Sequence, residues 1–95
     1  MDDDPLVMVV IRAVAGYLRD NPRACDTAEG IRRWWLPPGL ECTTDTVLTA
    51  LEWMKRHALI DMTTAADGRQ RFSRSRSGEP LEALLRELDG DRSVE

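Results

Sequence analysis

Apolar residues recur at helical spacing in four stretches of this chain and alternate with polar ones in a fifth. The cleanest helical pattern lies within Thr43–Ile60. There Val47, Leu51 and Met54 stand at i, i+4 and i+7, and Ala50 and Ala58 widen the stripe. At about 100° per residue, Asp45, Thr49, Glu52 and Arg56 fall on the opposite face. Thr43 or Thr44 supplies an N-cap hydroxyl, and the helix is expected over 44–57. The chain then turns extended at Leu59-Ile60. A hairpin is expected over 59–75, pairing Leu59–Thr64 with Arg69–Arg74 around Ala65-Ala66-Asp67-Gly68, because Asp-Gly is a strong hairpin signal. Alternation puts Phe72 on one side, as an anchor to the core, and Arg69, Arg71 and Ser73 on the other.

The first helix is expected over 5–20, with Asp4 as N-cap, Pro5 at the first helical position, and Asp2 and Asp3 at the positive end of the dipole. Its opening run, LVMVVI, would also suit a buried strand. Helix is preferred because glycine-free periodicity continues from it to Ala15. Such a helix is apolar nearly all round, so burial on two sides is expected. Asp20-Asn21-Pro22 ends it, and Arg23-Ala24-Cys25 could add a minor third strand to the hairpin sheet. Asp26-Thr27-Ala28-Glu29 has the form of a capping box, with Asp26 as N-cap and Glu29 at N3. A second helix follows over 27–36, with Ile31, Trp34 and Trp35 at i, i+3 and i+4, ending before Pro37-Pro38-Gly39. A C-terminal helix is expected over 80–89 on the stripe Leu81, Leu84, Leu85, Leu88, then a frayed tail over 90–95.

The order of these elements is that of a winged helix-turn-helix, and residues 26–88 resemble the bacterial regulators of the MarR and PadR kind. The run Thr43-x-x-Thr46-Val47-x-x-Ala50-Leu51-x-x-Met54-x-x-x-Ala58-Leu59-Ile60 looks like their recognition helix. Asp67-Gly68-Arg69-Gln70-Arg71-Phe72 is similar to their second wing strand, and Ser75-x-x-Gly78 to the segment leading into a final helix. The fold class is therefore expected to be mainly α with a small antiparallel β-hairpin: a three-helix core plus a C-terminal helix, in one domain over 1–95. Ala58 departs from the pattern, since those families usually carry Gly there. A left-handed residue costs more without Gly, which predicts a helix end built in another way.

Composition and charge refine the picture. Ninety-five residues allow one domain with a core large enough to be stable alone. The two cysteines, Cys25 and Cys42, make neither a disulfide scaffold nor a CxxC pair, which favours a reducing, cytoplasmic setting. The start Met-Asp-Asp-Asp has the wrong charge for a signal peptide, and the apolar run Leu6–Ile11 is too short to span a bilayer. The net charge of −4 is unevenly spread. Residues 12–76 hold eleven basic against eight acidic residues, while both termini are acidic. Arg69, Arg71, Arg74 and Arg76 form a local basic patch, or else a solvated charge run.

The resemblance implies a small regulator that binds double-stranded DNA, with the 44–57 helix in the major groove and the wing on phosphate or minor groove. Base-facing candidates are Thr44, Asp45, Leu48, Thr49 and Glu52. Candidate phosphate contacts are Lys55, Arg56, Arg69 and Arg71, with Arg74 and Arg76, and also Arg32 and Arg33 on the second helix. The outward face of the 44–57 helix has two acids and no arginine in its first two turns, so the commonest specific contact, arginine to guanine, is missing. The alternative is a protein-interaction adaptor on the same fold.

Leu81, Leu84, Leu85 and Leu88 either close the monomer core or pair with their twins and the first helix in a homodimer. Trp53 lies about 240° round from Val47, off the main stripe, and reads as a boundary residue or an interface anchor. Of the adjacent Trp34 and Trp35 only one can face the core. His57 stands alone, without a metal partner at i±4. Cys25 and Cys42 read as small buried hydrophobes, or as a redox pair disfavoured by the adjoining Asp26 and Glu41. No catalytic motif, cofactor site or metal set is expected; Asp20, Asp26 and Glu29 read as caps and solvent charges.

Overall fold

The computed structural model describes residues 5–90, and describes no side chain over 88–90. The N-cap expected at Asp4, the dipole partners Asp2 and Asp3, the Leu88 side chain and the tail over 91–95 therefore lie outside the described residues, while Gly90, expected in that tail, is the last residue of the C-terminal helix. Among those described there are four helices and a three-stranded antiparallel sheet: α1 (Pro5–Asp20), β1 (Cys25–Asp26), α2 (Ala28–Gly30, widening into a π-helical turn over Ile31–Trp35), α3 (Thr44–Arg56), β2 (Ile60–Thr64), β3 (Gln70–Arg74) and α4 (Glu79–Gly90). The sheet order is β1-β3-β2.

α1 is the central element. Val7, Val10, Ile11, Val14, Ala15 and Leu18 are buried, an unbroken i, i+3, i+4 stripe. This settles LVMVVI as helix. Met8 and Val9 on the other flank are 41% and 44% exposed, so no element of the described chain covers the second side of this helix. The buried stripe packs in one core with Val47, Ala50, Leu51 and Met54 of α3, Ile31 and Trp35 of α2, and Leu81 of α4. Each large aliphatic side chain buried there contributes about 1.5–3 kcal/mol.

α2 departs most from expectation. Its N-cap is Thr27, not Asp26: the Thr27 hydroxyl accepts from the Gly30 N–H at 3.1 Å. Asp26 instead accepts from the Thr27 N–H at 2.8 Å, and its carboxylate lies so close over Gly30 that a Cβ there would collide with it. The capping box is therefore not formed. The wide turn that follows buries Ile31 and Trp35, which are four apart, and leaves Trp34 71% exposed. Trp35 stacks on Tyr17 of α1, ring centroids 4.7 Å apart at 15°.

α3 starts at an N-cap Thr43, whose hydroxyl accepts from the Thr46 N–H at 3.2 Å. Its end is a complete Schellman motif: the Leu59 N–H donates to the Met54 carbonyl at 2.9 Å and the Ala58 N–H to the Lys55 carbonyl at 3.0 Å. Leu59 and Met54 are both buried, which supplies the apolar contact that accompanies this motif. Ala58 sits at φ +61° and is exposed. Two expectations are corrected here. Ala58 does not widen the apolar stripe, and the helix ends in the left-handed manner without Gly.

β2 and β3 pair with Ile60 opposite Arg74, Met62 opposite Phe72 and Thr64 opposite Gln70. Directly opposed residues share a face, so buried Ile60 and Phe72 and half-buried Met62 form the inner face. The Ala65–Gly68 turn closes through the Gly68 N–H to the Ala65 carbonyl at 2.9 Å, with Gly68 at φ +87°. Cys25 and Asp26 pair with Ser73 and Phe72, so a third strand does form, starting two residues later than the sequence suggests and ending one later. No helix among the described residues is long and apolar enough to cross a membrane.

Candidate functional site

An open cleft of about 460 Å³ lies where three elements meet. Its lining comes from Thr27, Ala28 and Glu29 at the start of α2, Leu48 on the outward face of α3, and Arg69, Gln70 and Phe72 along β3 and its leading turn. The β1–β3 pairing holds the start of α2 against the hairpin, which brings Glu29 and Arg69 to one place. Leu48 is 37% exposed because its helix turns Val47 and Leu51 inward instead.

Glu29 is the hub of this face. Its Oε2 accepts from Arg32 Nη2 at 3.0 Å and Arg33 Nε at 3.2 Å, and its Oε1 accepts from the Thr44 hydroxyl at 3.1 Å. The arginine donors reach it because i+3 and i+4 lie on one side of a helical turn. The Arg32 hydrogen bond, then that from Thr44 and the arginine charges, hold its carboxyl below the ordinary value of 4.5. Glu29 is not the cap, since Thr27 caps α2, but it is an exposed charge as expected, and three donors pair with it. Its spacing to Arg32 and Arg33 was the available signal; Thr44, fifteen residues on, could be joined to it only by the fold.

The structure divides the other candidates. Thr44 lies beside the cleft through Glu29, with Leu48 and Arg69 in its lining. Arg69 is 72% exposed and 3.7 Å from Asp67 across the turn. Arg71 and Lys55 are exposed and carry no ion pair among the described residues. Asp45 and Glu52 are exposed on α3, and the Thr49 hydroxyl donates to the Asp45 carbonyl at 3.0 Å.

Arg74 does not join them. Its alternation with Phe72 turns it inward, where it is only 25% exposed and meets Glu82 of α4 at 3.3 Å. Arg76 is exposed, and its backbone N–H donates to Asp61 Oδ2 at 3.2 Å beyond the end of the sheet. Arg56 and Thr49 border a separate small crevice of about 90 Å³ between α1 and α3, with Val7, Met8, Ile11 and Trp53. Trp53 is half-buried there and stacks on His57 at 3.9 Å, so it packs at the α1 boundary. Leu81 is buried and Leu84 and Leu85 are partly buried against the core. Cys25 is exposed rather than buried, and Cys42 is intermediate.

Comparison with protein-family models, with curated proteins and with solved structures returns no match. The class established is thus a small α+β domain of helices around a three-stranded antiparallel sheet.

Proposed function

We propose that this chain is a winged-helix protein that binds double-stranded DNA and acts as a small transcriptional regulator. α3 enters the major groove with its N-terminal half near base edges, and the β2–β3 hairpin is the wing that rests on the backbone. The observation that carries this reading is the shared cleft: the start of α2, the outward face of α3 and the Arg69 end of the wing open onto one surface. Phosphate contacts fall to Arg69, Arg71, Lys55 and Arg56, all exposed. Arg74 is spent on Glu82. Base contacts fall to Leu48 and the acids Asp45 and Glu52, and these acids can accept from cytosine N4. Exposed Met8 and Val9, together with the half-buried leucines of α4, favour a homodimer through the terminal helices.

Fluorescence anisotropy against duplex DNA across a salt series tests the reading. Four phosphate contacts predict a salt slope of about −3.6 in log K against log salt. Arg69→Ala/Arg71→Ala should make it shallower by about 2. No binding at about 50 mM salt removes the proposal.

A second reading, a protein-interaction adaptor, is favoured by one observation. Trp34 stands 71% exposed beside exposed Pro37 and Pro38, a rigid aromatic of the kind that anchors interfaces. Loss of a captured partner with Trp34→Ala, in the absence of DNA binding, would support it.

A further inference from the structure

Three donors converge on one carboxylate at the edge of the cleft. Two guanidinium groups, Arg32 and Arg33, and the Thr44 hydroxyl all point at Glu29. Thr44 is the first residue of α3, so the positive end of that helix lies beside the same spot. Guanidinium and hydroxyl donors recognise carboxylate and phosphate oxygens by the same geometry. A phosphodiester offers the same oxygens that Glu29 now supplies. The carboxylate is held from solvent-exposed positions, with Glu29 49% and Arg33 61% exposed, so exchange needs no rearrangement of the core.

We propose that Arg32, Arg33 and Thr44 form an oxyanion subsite for a DNA backbone phosphate, and that Glu29 occupies it as an internal phosphate mimic in the free protein. This rests on the DNA-binding reading above. Glu29 is then an affinity-limiting residue: a phosphate must displace its carboxylate before the two arginines contribute. The hydrogen bonds from Arg32 and then Thr44 hold the Glu29 carboxyl below its ordinary value, so the mimic is charged at neutral pH. The mask also explains how an acid can sit on a phosphate-facing surface. Its charge is answered by its own neighbours and reappears only when they turn to DNA.

The test is Glu29→Gln, which keeps the side-chain shape and removes the charge, with Glu41→Gln as a charge-matched control elsewhere on the exposed surface. Duplex DNA affinity is measured by anisotropy over a salt series, after thermal melting shows each variant folded. Glu29→Gln should bind at least about tenfold more tightly at low salt, with a slope steeper by about 1 for the one phosphate the subsite takes. Glu41→Gln should leave the slope unchanged. Adding Arg33→Gln to Glu29→Gln should take back most of that gain, and Arg33→Gln alone should change the slope less than it does in the unmasked variant. If Glu29→Gln does not fold, Glu29→Asp serves: its shorter side chain cannot span Thr44 and both arginines, and it should steepen the slope without a charge change.

Equal slopes for wild type and Glu29→Gln, with wild-type binding that depends on Arg69 and Arg71, overturn the subsite and leave the DNA reading standing. No DNA binding by wild type or Glu29→Gln overturns both. Inorganic phosphate titrated at constant ionic strength distinguishes the ligand. Saturable shifts at Thr44 without any gain in DNA affinity would assign the site to free phosphate and overturn the backbone contact.

Discussion

Replacing Ala58 by glycine should stabilise this protein, although glycine usually weakens a helix. Ala58 is held at φ +61° by the two hydrogen bonds that close α3. A non-glycine residue pays about 1–2 kcal/mol for the left-handed conformation. Glycine pays almost none, but its unfolded chain is freer, which returns about 0.4–1 kcal/mol. The Ala58 methyl is exposed, so its removal loses little packing. The balance is a gain of about 0.5–1 kcal/mol, which for a domain of this size raises Tm by about 2–8 °C. Thermal melting and urea denaturation measure it, with an unchanged m-value showing that the native and denatured states keep their exposure. Ala50→Gly is the internal control. It lies in the same helix, but buried and with ordinary helical geometry, so it should be destabilised by about 1 kcal/mol from propensity alone. A Tm for Ala58→Gly equal to or below that of wild type would refute the argument that the left-handed position carries strain.

Two further outcomes follow from the packing and the charges. Leu81 is fully buried against the core and is the contact that docks α4, so Leu81→Ala should cost about 2–5 kcal/mol and release amide protection along that helix; a loss under about 1 kcal/mol would show that α4 is held by other contacts. The Glu29 carboxyl titrates below its ordinary 4.5 in the folded state, so its contribution is fully present above that value and is lost as pH falls through the lower folded value. Glu29→Gln should flatten that part of the acid-denaturation curve, and an unchanged curve would show that the ion pairs add nothing to stability.

The helices were legible in the chain because their information is periodic and local. Val10, Val14 and Leu18 on α1, and Val47, Leu51 and Met54 on α3, are buried as their spacing implies. Asp67-Gly68 marked the turn because glycine there meets a positive φ. Ala58 was a half-success. The sequence showed that a left-handed residue there would cost energy, but not that the Schellman hydrogen bonds and the Leu59–Met54 contact would hold it regardless. Only the tertiary structure decided which tryptophan is core. Adjacent residues on a helix cannot both face inward, and the π turn with the Tyr17 ring selected Trp35. It also decided the partners of the charges. Arg74 and Arg71 are alike as letters in one strand, yet the pleat sends Arg74 inward to Glu82 and leaves Arg71 exposed. Glu29 looked like a cap until the fold brought Thr44 to it. Spacing along the chain sets which residues share a face; which charges meet across elements depends on long-range packing, which has no local signature.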